Sequence, residues 1–297
     1  MNAGEAQLFW WRQRTRPLRW WPLRPWLGRR GERRWRQARG VCLFASPPRS
    51  GHSLLGALLD AHPDAAIGHE LDALLFLRWG WRLAEVLPLM ERSARQTAGM
   101  EQLPGGYSYP LAGQGQLRRP LLVGDKHGEA TLVELQRRPW LRQRLEATSA
   151  LPVLWLRAVR HPLDNIASIA RHIHTIAGGV LPAGGTPLQR AEDYYFCLAD
   201  AMASLDGGLD GELVGKQRLL DVRHEQLVSN PEAELRRIAA FLQLDPDPRW
   251  LHNCRELVHP APHLSRHGAA WEPGQPHRIL ERCAGYSFLA GYGLEEG

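Results

Sequence analysis

The stretch from residue 41 to residue 70, VCLFASPPRSGHSLLGALLDAHPDAAIGHE, constrains the fold more than any other part of this chain. It opens with an apolar run, Val41 to Ala45, that is typical of a short buried strand. The turn SPPRSG at 46–51 follows, and leucines then recur at helical spacing from Leu54 to Leu59. Because the first amides of a helix have no intrahelical partners, this strand–turn–helix order predicts an anion cradle. Arg49 adds a planar cation suited to phosphate or sulfate oxygens.

Apolar strands and helical patterns alternate after this opening unit. Further strands are predicted at these positions: 65–70, 120–126, 151–159 and 216–225. Helices are predicted at these positions: 71–98 as a pair, after 126 to about 150, from Pro162 onward, 191–205 and 231–242. The alternation predicts an α/β fold, a central parallel sheet flanked by helices with a phosphate-loop-like strand–loop–helix. We expect a single domain at 39–297, preceded by an arm at 1–38.

Four charged residues share one position, the carboxyl end of a predicted strand: Arg49, Glu70, Lys126 and Arg160. Ligands of parallel sheets bind beyond this edge, so we expect these four side chains to form one site. Composition singles out Lys126, because the 37 basic residues include only two lysines, Lys126 and Lys216. An ammonium in a chain that otherwise uses arginine indicates a geometry that a guanidinium cannot meet.

The turn also invites comparison with nucleoside-triphosphate sites. Ser46 lies five residues before Gly51, as in a phosphate loop, but His52 stands where that motif requires lysine. No apolar strand ends in an aspartate obviously suited to holding magnesium beside the loop. A phosphate-loop kinase or nucleotidase stays an alternative, and it predicts a magnesium requirement.

The motifs instead resemble those of sulfotransferases that use 3′-phosphoadenosine 5′-phosphosulfate (PAPS). PRSG at 48–51, LDAHPD at 59–64 and GHE at 68–70 are similar to the family's 5′-phosphosulfate loop and its continuation. RHPLD at 160–164 resembles the 3′-phosphate motif, and the stretch 222–244 is similar to the strand–helix unit that follows it. These ordered matches cover roughly residues 41–245, and they resemble the tyrosylprotein sulfotransferases and bacterial sulfotransferases most.

The resemblance implies a role for each motif residue. It assigns the loop and helix start to the 5′-phosphosulfate: Arg49, Ser50, Gly51, His52 and Ser53. Arg160 and Ser168 would bind the 3′-phosphate, which separates PAPS from ATP. Glu70 would act as the general base on an acceptor hydroxyl, Lys126 would stabilise the departing phosphate oxygen, and Arg49 would stabilise the sulfuryl group during transfer. No metal is expected.

Several residues depart from the family pattern or extend it. His52 replaces the usual threonine or serine after Gly51. Asp72 stands where tyrosylprotein sulfotransferases carry arginine, which does not favour peptide-tyrosine specificity. His127 is a rival to Glu70 as the base, because cytosolic sulfotransferases use a histidine near that strand end. A late basic-glycine motif that also contacts the 3′-phosphate resembles two residues of this chain, Arg266 and Gly268.

The arm at 1–38 carries most of the basic excess. Residues 1–40 contain eleven arginines and two acids, whereas the remaining chain holds 26 basic and 29 acidic residues. Six tryptophans are interleaved with the arginines, and Pro17, Pro22 and Pro25 are expected to interrupt any helix. This composition fits a surface-packed extension, contact with an anionic membrane surface, or weak sequence-blind contact with nucleic acid. No specific nucleic-acid binding is expected, but the arm leaves open a third function, a membrane-associated interaction protein with a degenerate nucleotide fold.

The remaining features bear on compartment and acceptor. Four scattered cysteines show no metal-ligand spacing, which favours free thiols in a reducing, cytoplasmic compartment. Contact of the arm with lipid would place the chain at the inner membrane face. The acceptor is expected to carry a hydroxyl, and the loops at 99–116 and 177–187 are expected to shape its pocket.

Overall fold

A computed structural model describes residues 15–98, 100, 108–174, 184–207, 218–259 and 261–294. Its five strands form one parallel sheet in the order β2-β3-β1-β4-β5. The strands have these bounds: β1 Gly40–Phe44, β2 Ala65–His69, β3 Leu122–Lys126, β4 Val153–Val159 and β5 Leu219–Arg223. The predicted α/β architecture is confirmed.

Helices lie on both faces of this sheet. The amino-terminal half contributes these: α1 Arg16–Trp20, α2 Arg24–Arg34, α3 His52–Asp60, α4 Ala73–Arg78, α5 Leu83–Thr97, α6 Gly128–Arg137 and α7 Trp140–Thr148. The second half contributes these: α8 Pro162–Arg171, α9 Pro187–Ala203, α10 His224–Ser229, α11 Pro231–Phe241, α12 Pro248–Leu257 and α13 Gln275–Cys283. Among the described helices, none is long and apolar enough to cross a membrane.

The central strand β1 shows why both faces are covered. Successive side chains of a strand point to opposite faces, and here both sets are apolar and buried. Val41 and Leu43 pack into a cluster that includes α2, α5 and α9. Cys42 and Phe44 pack into a second cluster with α3, α11 and α12. A strand that is apolar on both faces can lie only in the middle of such a layered fold.

The strand order fixes where a ligand can bind. β1 pairs with β3 on one side and with β4 on the other. β3 and β4 are consecutive strands in the chain but lie on opposite sides of β1, so the connection between them crosses β1 and the strand order switches there. Parallel sheets bind ligands in the crevice that this switch opens at the carboxyl ends of the strands.

The arm differs from its prediction. Pro17, Pro22 and Pro25 do not interrupt helices, because each occupies the first turn of α1, of a 3-10 turn (Trp21–Leu23) or of α2. The amide that proline lacks has no intrahelical partner in that turn, and the fixed φ of proline suits a helix start.

The expected boundary at residue 38 is also corrected. Leu27 and Trp35 are 2% and 1% exposed, and both belong to the main core cluster. Arg24 pairs with Glu85 of α5 at 2.9 Å. The described part of the arm is therefore a component of the domain, whereas residues 1–14 lie outside the described residues.

Smaller differences concern the second half of the chain. The strand expected at 216–225 covers 219–223, and His224 already begins α10. Lys216 lies outside the described residues, as do 99 and 101–107 of the loop expected at 99–116 and 177–183 of the loop expected at 177–187. Asp247 caps α12 by accepting hydrogen bonds from two amides at 3.0 Å, a helix that the weak patterning of the C-terminal section did not predict. All four cysteines are free.

Candidate active site

The loop between β1 and α3 is held in shape by buried side chains from neighbouring elements. Ser46 accepts a hydrogen bond from the amide of Ala158 in β4 at 2.8 Å. Asn165 of α8 donates to the carbonyl oxygen of Pro48 at 2.7 Å. Ser46 and Asn165 are completely buried, and neither was predicted to belong to the site. The Ser46 hydroxyl and the Asn165 side-chain amide therefore hold the loop in the conformation that leads into α3.

Gly51 caps this loop in a conformation that glycine alone adopts readily. Its φ is +90°, and a Cβ atom added there would lie 2.4 Å from Nδ1 of His224. Arg49 also lies in the left-handed region, with φ +67°. α3 begins at His52, directly after this loop, and no side chain caps its first turn.

His52 is a neutral component of the loop. Its Nδ1 lies 3.2 Å from the carbonyl oxygen of Pro47 and 3.2 Å from Oγ of Ser50. A carbonyl oxygen only accepts, so Nδ1 carries the proton and Nε2 is left as an acceptor. Burial lowers the pKa of His52 to about 3, and the positive charge of Lys126 acts in the same direction. His52 therefore adds no charge to the cradle.

Lys126 and Glu70 meet at the edge of this loop. The ammonium of Lys126 donates to Oε1 of Glu70 at 2.8 Å and to Oγ of Ser53 at 3.2 Å. It also lies 3.5 Å from Nε2 of His69, a neighbour that was not predicted. The Lys126 side chain is 1% exposed, whereas that of Glu70 is 37% exposed. The carboxylate of Glu70 therefore remains accessible while its partner is buried.

The buried stem of Lys126 requires a small neighbour. A Cβ atom at Gly56, in the middle of α3, would lie 2.7 Å from Cγ of Lys126. A glycine in a helix interior is unfavourable by roughly 1 kcal/mol relative to alanine, so its presence here indicates a packing requirement. Gly56 was not predicted as a site residue.

This geometry sets the protonation state of Glu70. Burial alone would raise the pKa of Glu70, but the charge of Lys126 and the hydrogen bond from it outweigh burial and lower the pKa to about 2. Glu70 is therefore ionised throughout the physiological range and able to accept a proton. Displacement of Lys126 from Glu70 would raise this pKa and make the carboxylate a stronger base.

His127, the predicted rival base, occupies the residue before α6. Its side chain makes no capping hydrogen bond, and its Nδ1 is buried without a partner among the described residues. Burial lowers the pKa of His127 to about 4, so the ring is neutral at pH 7. Its charge interactions include Glu70 and Lys126, which places it at the same site. The geometry keeps both candidates at the edge of the loop.

The residues of the second predicted anion site also lie close together. Nε of Arg49 donates to Oγ of Ser168 at 3.1 Å. Nη1 of Arg160 donates to the carbonyl oxygen of Arg49 at 3.2 Å. Arg49 is more than a hundred positions from both partners in the sequence, and it meets them because the loop, β4 and α8 converge beside β1. The structure thus brings together the three residues assigned to phosphate contacts.

Arg160 is almost fully engaged by backbone and hydroxyl groups. Its Nη2 donates to the carbonyl oxygen of His263 and to Oγ of Ser265, the latter at 3.3 Å. Its Nε is buried and has no acceptor among the described residues. Burial lowers the pKa of Arg160; Asp164 and Glu225 oppose this effect, and the like charges of Arg49 and Arg266 add to it.

Arg266 and Gly268 differ from each other in how well they fit their predicted role. Arg266 is 6% exposed and bound to Asp164, through its guanidinium at 2.8 Å and its amide at 2.7 Å. Its Nε is buried without an acceptor in the described part of the chain. Gly268 shows no need for glycine, because an added Cβ would meet only Arg171 at 3.5 Å, an ordinary contact.

These groups fit a donor that carries two separate anions. Two buried N–H groups, on Arg160 and Arg266, have no acceptor among the described residues. Arg49 and Arg266 both lie close enough to Arg160 to interact with it electrostatically. Oxyanions supply several acceptors and negative charge, which such a cluster requires. The described residues contain no group of His, Cys, Asp and Glu side chains that could hold a metal ion.

Comparisons with known proteins agree with this chemistry. A sequence model described as Sulfotransferase family matches residues 154–248. Protein-tyrosine sulfotransferase A of Caenorhabditis elegans is 29% identical over 214 residues, which are 69% of this chain and 50% of that protein. Protein-tyrosine sulfotransferase 1 of Danio rerio is 25% identical over 213 residues, 71% of this chain and 55% of that protein. The chain thus spans about half the length of these relatives.

A solved structure, the sulfotransferase domain from the Curacin biosynthetic pathway, gives a TM-score of 0.48 at 19% identity and covers 88% of this chain and 94% of its own. The architecture of this chain is established by its own strand order. Over residues 154–248 this chain is similar to the Sulfotransferase family, and over about 70% of its length it is similar to protein-tyrosine sulfotransferases.

Proposed function

We propose that this chain transfers a sulfuryl group from PAPS to a hydroxyl acceptor, with Glu70 as the general base. The observation that carries this proposal is the 2.8 Å contact between Lys126 and Glu70 beside a loop whose Arg49 also reaches Ser168. An acid–base pair and a second cation site therefore flank the same loop. PAPS, when bound, supplies an activated sulfuryl group and a 3′-phosphate.

The residues divide this reaction between them. The oxygen of the acceptor hydroxyl bonds to sulfur while Glu70 takes the proton of that hydroxyl. The bond between sulfur and the 5′-phosphate oxygen breaks in the same step. Lys126 and Arg49 would stabilise the negative charge that develops on the departing phosphate and on the sulfuryl oxygens. Ser50, Gly51, His52 and Ser53 would contribute loop and helix-start amides. The proton ends on Glu70 and the electron pair on the phosphate oxygen.

The 3′-phosphate would bind the cluster that contains Arg160 and Ser168, next to Arg49 of the loop. The Nε groups of Arg160 and Arg266, which have no acceptor in the described part of the chain, supply donors in a buried, positively charged region. An ATP molecule lacks a phosphate at this position. This cluster is therefore the part of the site that would select PAPS over ATP.

The acceptor in this proposal is a hydroxyl compound, in agreement with the relatives named protein-tyrosine sulfotransferases. Asp72 lies two residues after Glu70, and Glu129 in the first turn of α6 interacts with Glu70 electrostatically. Burial raises the pKa of both carboxyl groups to about 7, so above that pH they add negative charge near the base and disfavour an acidic acceptor. We therefore expect a tyrosine flanked by neutral or basic groups, or an uncharged phenol, to be a better acceptor than an acidic peptide.

Nucleotide binding measured by calorimetry tests the donor. We expect the product nucleotide 3′-phosphoadenosine 5′-phosphate to bind without magnesium and at least tenfold more tightly than ATP, with Ser168→Ala weakening it by about threefold to tenfold. Tight magnesium-dependent binding of ATP alone would favour the kinase or nucleotidase alternative. Absence of both would favour the interaction-protein alternative.

We also infer that the described arm contacts an anionic membrane surface, at the cytoplasmic side where anionic lipids are enriched. Four large apolar side chains of this segment are strongly exposed: Leu18 (48%), Trp21 (45%), Leu23 (45%) and Trp26 (56%). Three arginines line a cavity of about 200 Å³ with Trp26: Arg29, Arg30 and Arg33. Exposed indoles beside arginines match the apolar and charged layers of a lipid interface.

Vesicle co-sedimentation tests this contact. The double change Trp21→Ala with Trp26→Ala should reduce binding to phosphatidylserine vesicles at least tenfold, while neutral vesicles bind neither form. Trp140→Ala is the matched control, because Trp140 is 47% exposed on α7, outside the arm. Equal sedimentation of all variants would overturn the inference.

A further inference from the structure

The segment that carries the proposed base has an unusual backbone. Glu70 and Asp72, which lie between β2 and α4, have φ values of +54° and +65°. Side chains other than glycine rarely occupy this left-handed region, and they persist there only when surrounding contacts hold them. The loop at 70–72 must therefore be constrained from outside.

One constraint comes from β3. Asp125 is 2% exposed and accepts hydrogen bonds from the amides of Leu71 at 2.9 Å and Ala73 at 2.8 Å. The amide of Glu70 donates to the carbonyl oxygen of Lys126 at 3.1 Å. These bonds hold the amide side of the loop against the sheet.

The opposite constraint comes from the arm. Nη1 of Arg16, the first residue of α1, donates to the carbonyl oxygen of Glu70 at 2.7 Å and to that of Leu71 at 3.2 Å. Arg16 thus bonds to the carbonyl groups of a loop 54 residues away. Asp125 therefore binds amide groups of this loop, and Arg16 binds carbonyl groups of the same loop.

The charges around Arg16 support this arrangement. Its guanidinium is attracted by Asp72, Asp125 and Glu70, while Arg19 on its own helix repels it. Three carboxyl groups thus surround one cation at the loop. Removal of the guanidinium would leave two carbonyl oxygens without their donor and three negative groups without their shared counter-charge.

We propose that Arg16 is a positioning residue for Glu70: it fixes the left-handed backbone that directs the Glu70 carboxylate onto Lys126. This inference rests on the proposed base role of Glu70. It assigns the basic arm a part in catalysis, although Arg16 itself would touch neither donor nor acceptor.

Steady-state kinetics of Arg16→Ala, Arg16→Lys and Arg19→Ala test it. Arg19 is exposed on the same helix, and it is the matched control. We expect Arg16→Ala to lower kcat about 10- to 100-fold while the Kd for 3′-phosphoadenosine 5′-phosphate changes less than twofold. Arg16→Lys should recover part of kcat, and Arg19→Ala should match the unchanged protein.

A carbon-13 NMR titration of the Glu70 carboxyl separates this inference from the proposed function, because it needs no substrate. In Arg16→Ala the pKa of Glu70 should rise, because the carboxylate is no longer held on Lys126 and because the charge of Arg16 is lost. Arg16→Lys keeps that charge, so the part of the rise that persists in this variant measures the loss of positioning. This rise would support positioning even if no acceptor were ever sulfated. An unchanged titration, or an equal loss of kcat and nucleotide affinity with a lowered melting temperature, would overturn it.

Discussion

At the scale of single residues, the candidate site collects charged side chains on strained backbone. Arg49, Glu70 and Asp72 have φ values of 67°, 54° and 65°. Conformations of this kind cost on the order of 1–3 kcal/mol each, and they concentrate where function requires a fixed geometry. The sequence motifs marked Arg49 and Glu70 by residue type alone. Their backbone conformation follows from contacts with Ser168, Arg16 and Asp125.

Glu70→Gln should lower kcat by about 10²- to 10⁴-fold, because the amide cannot accept the proton of the acceptor hydroxyl. The Kd for 3′-phosphoadenosine 5′-phosphate should stay within about twofold of the original, since Lys126 keeps an oxygen partner at position 70. Kinetics and calorimetry on one preparation measure both values. A fully active variant would transfer the base role to His127, and His127→Ala would then be the inactive form.

Asp72→Asn should stabilise the protein at alkaline pH. Burial, with the nearby charges of Asp125 and Glu134, raises the pKa of Asp72 to about 7 from 3.8. Because this folded-state pKa lies above the unfolded one, the contribution of Asp72 to stability is full below pH 3.8 and is lost as pH rises through about 7. Asparagine keeps the left-handed backbone and the cap oxygen but carries no charge.

The expected gain in unfolding free energy is about 1–2 kcal/mol at pH 8, discounted from the full value of 1.4 kcal/mol per pKa unit because the side chain is partly exposed. It should approach zero near pH 4. Urea unfolding at the two pH values measures this difference, and a gain that is constant with pH would contradict the assignment to Asp72.

At the scale of elements, the loop between β1 and α3 depends on Gly51 for two independent reasons. Its φ of +90° disfavours any side chain, and His224 occupies the space where a Cβ would lie. His224 is itself neutral, because burial lowers its pKa to about 4. β5 ends where α10 begins, and this places the His224 ring against the loop.

Gly51→Ala should therefore weaken binding of 3′-phosphoadenosine 5′-phosphate at least tenfold, as the loop is forced out of shape. Combining it with His224→Ala should recover only part of this loss, because the backbone strain of about 1 kcal/mol or more remains. Gly207→Ala is the control, since an added Cβ there meets nothing within 4 Å. Full recovery in the double variant would show that the φ of Gly51 is unimportant.

At the scale of the whole molecule, the segment expected to be a separate arm forms part of the core. α2 packs on α5, where Gly31 approaches so closely that an added Cβ would lie 1.9 Å from the carbonyl oxygen of Ala84. Deletion of residues 1–38 would therefore remove core side chains and the Arg16 contact together. Point changes within α2 separate these effects better than the deletion does.

Leu27→Ala should lower the free energy of unfolding by about 2–4 kcal/mol, because Leu27 is 2% exposed within the main core. Trp26→Ala, the adjacent and exposed position, should change it by less than about 0.5 kcal/mol. Denaturant unfolding of both variants measures the contrast. Equal stabilities would contradict the inclusion of α2 in the core.

The sequence by itself determined the features that local patterns encode. Apolar runs and helical spacing predicted the parallel sheet, and strand ends predicted that Arg49, Glu70, Lys126 and Arg160 share one edge. The positions of the prolines were also visible, but whether a proline starts or interrupts a helix depends on the helix beginning one residue earlier or later. The arm was therefore predicted as irregular, although α1 and α2 each begin one residue before a proline.

Only the tertiary structure decided which groups meet across long separations in the chain. The contacts of Arg16 with the Glu70 carbonyl and of Arg266 with Asp164 join residues 54 and 102 positions apart. No local pattern encodes such contacts, because they form when distant elements pack around a common core. The same packing lowers the pKa of His52 and leaves it neutral. It also holds the loop at 46–51 through contacts with Ala158, Asn165 and His224.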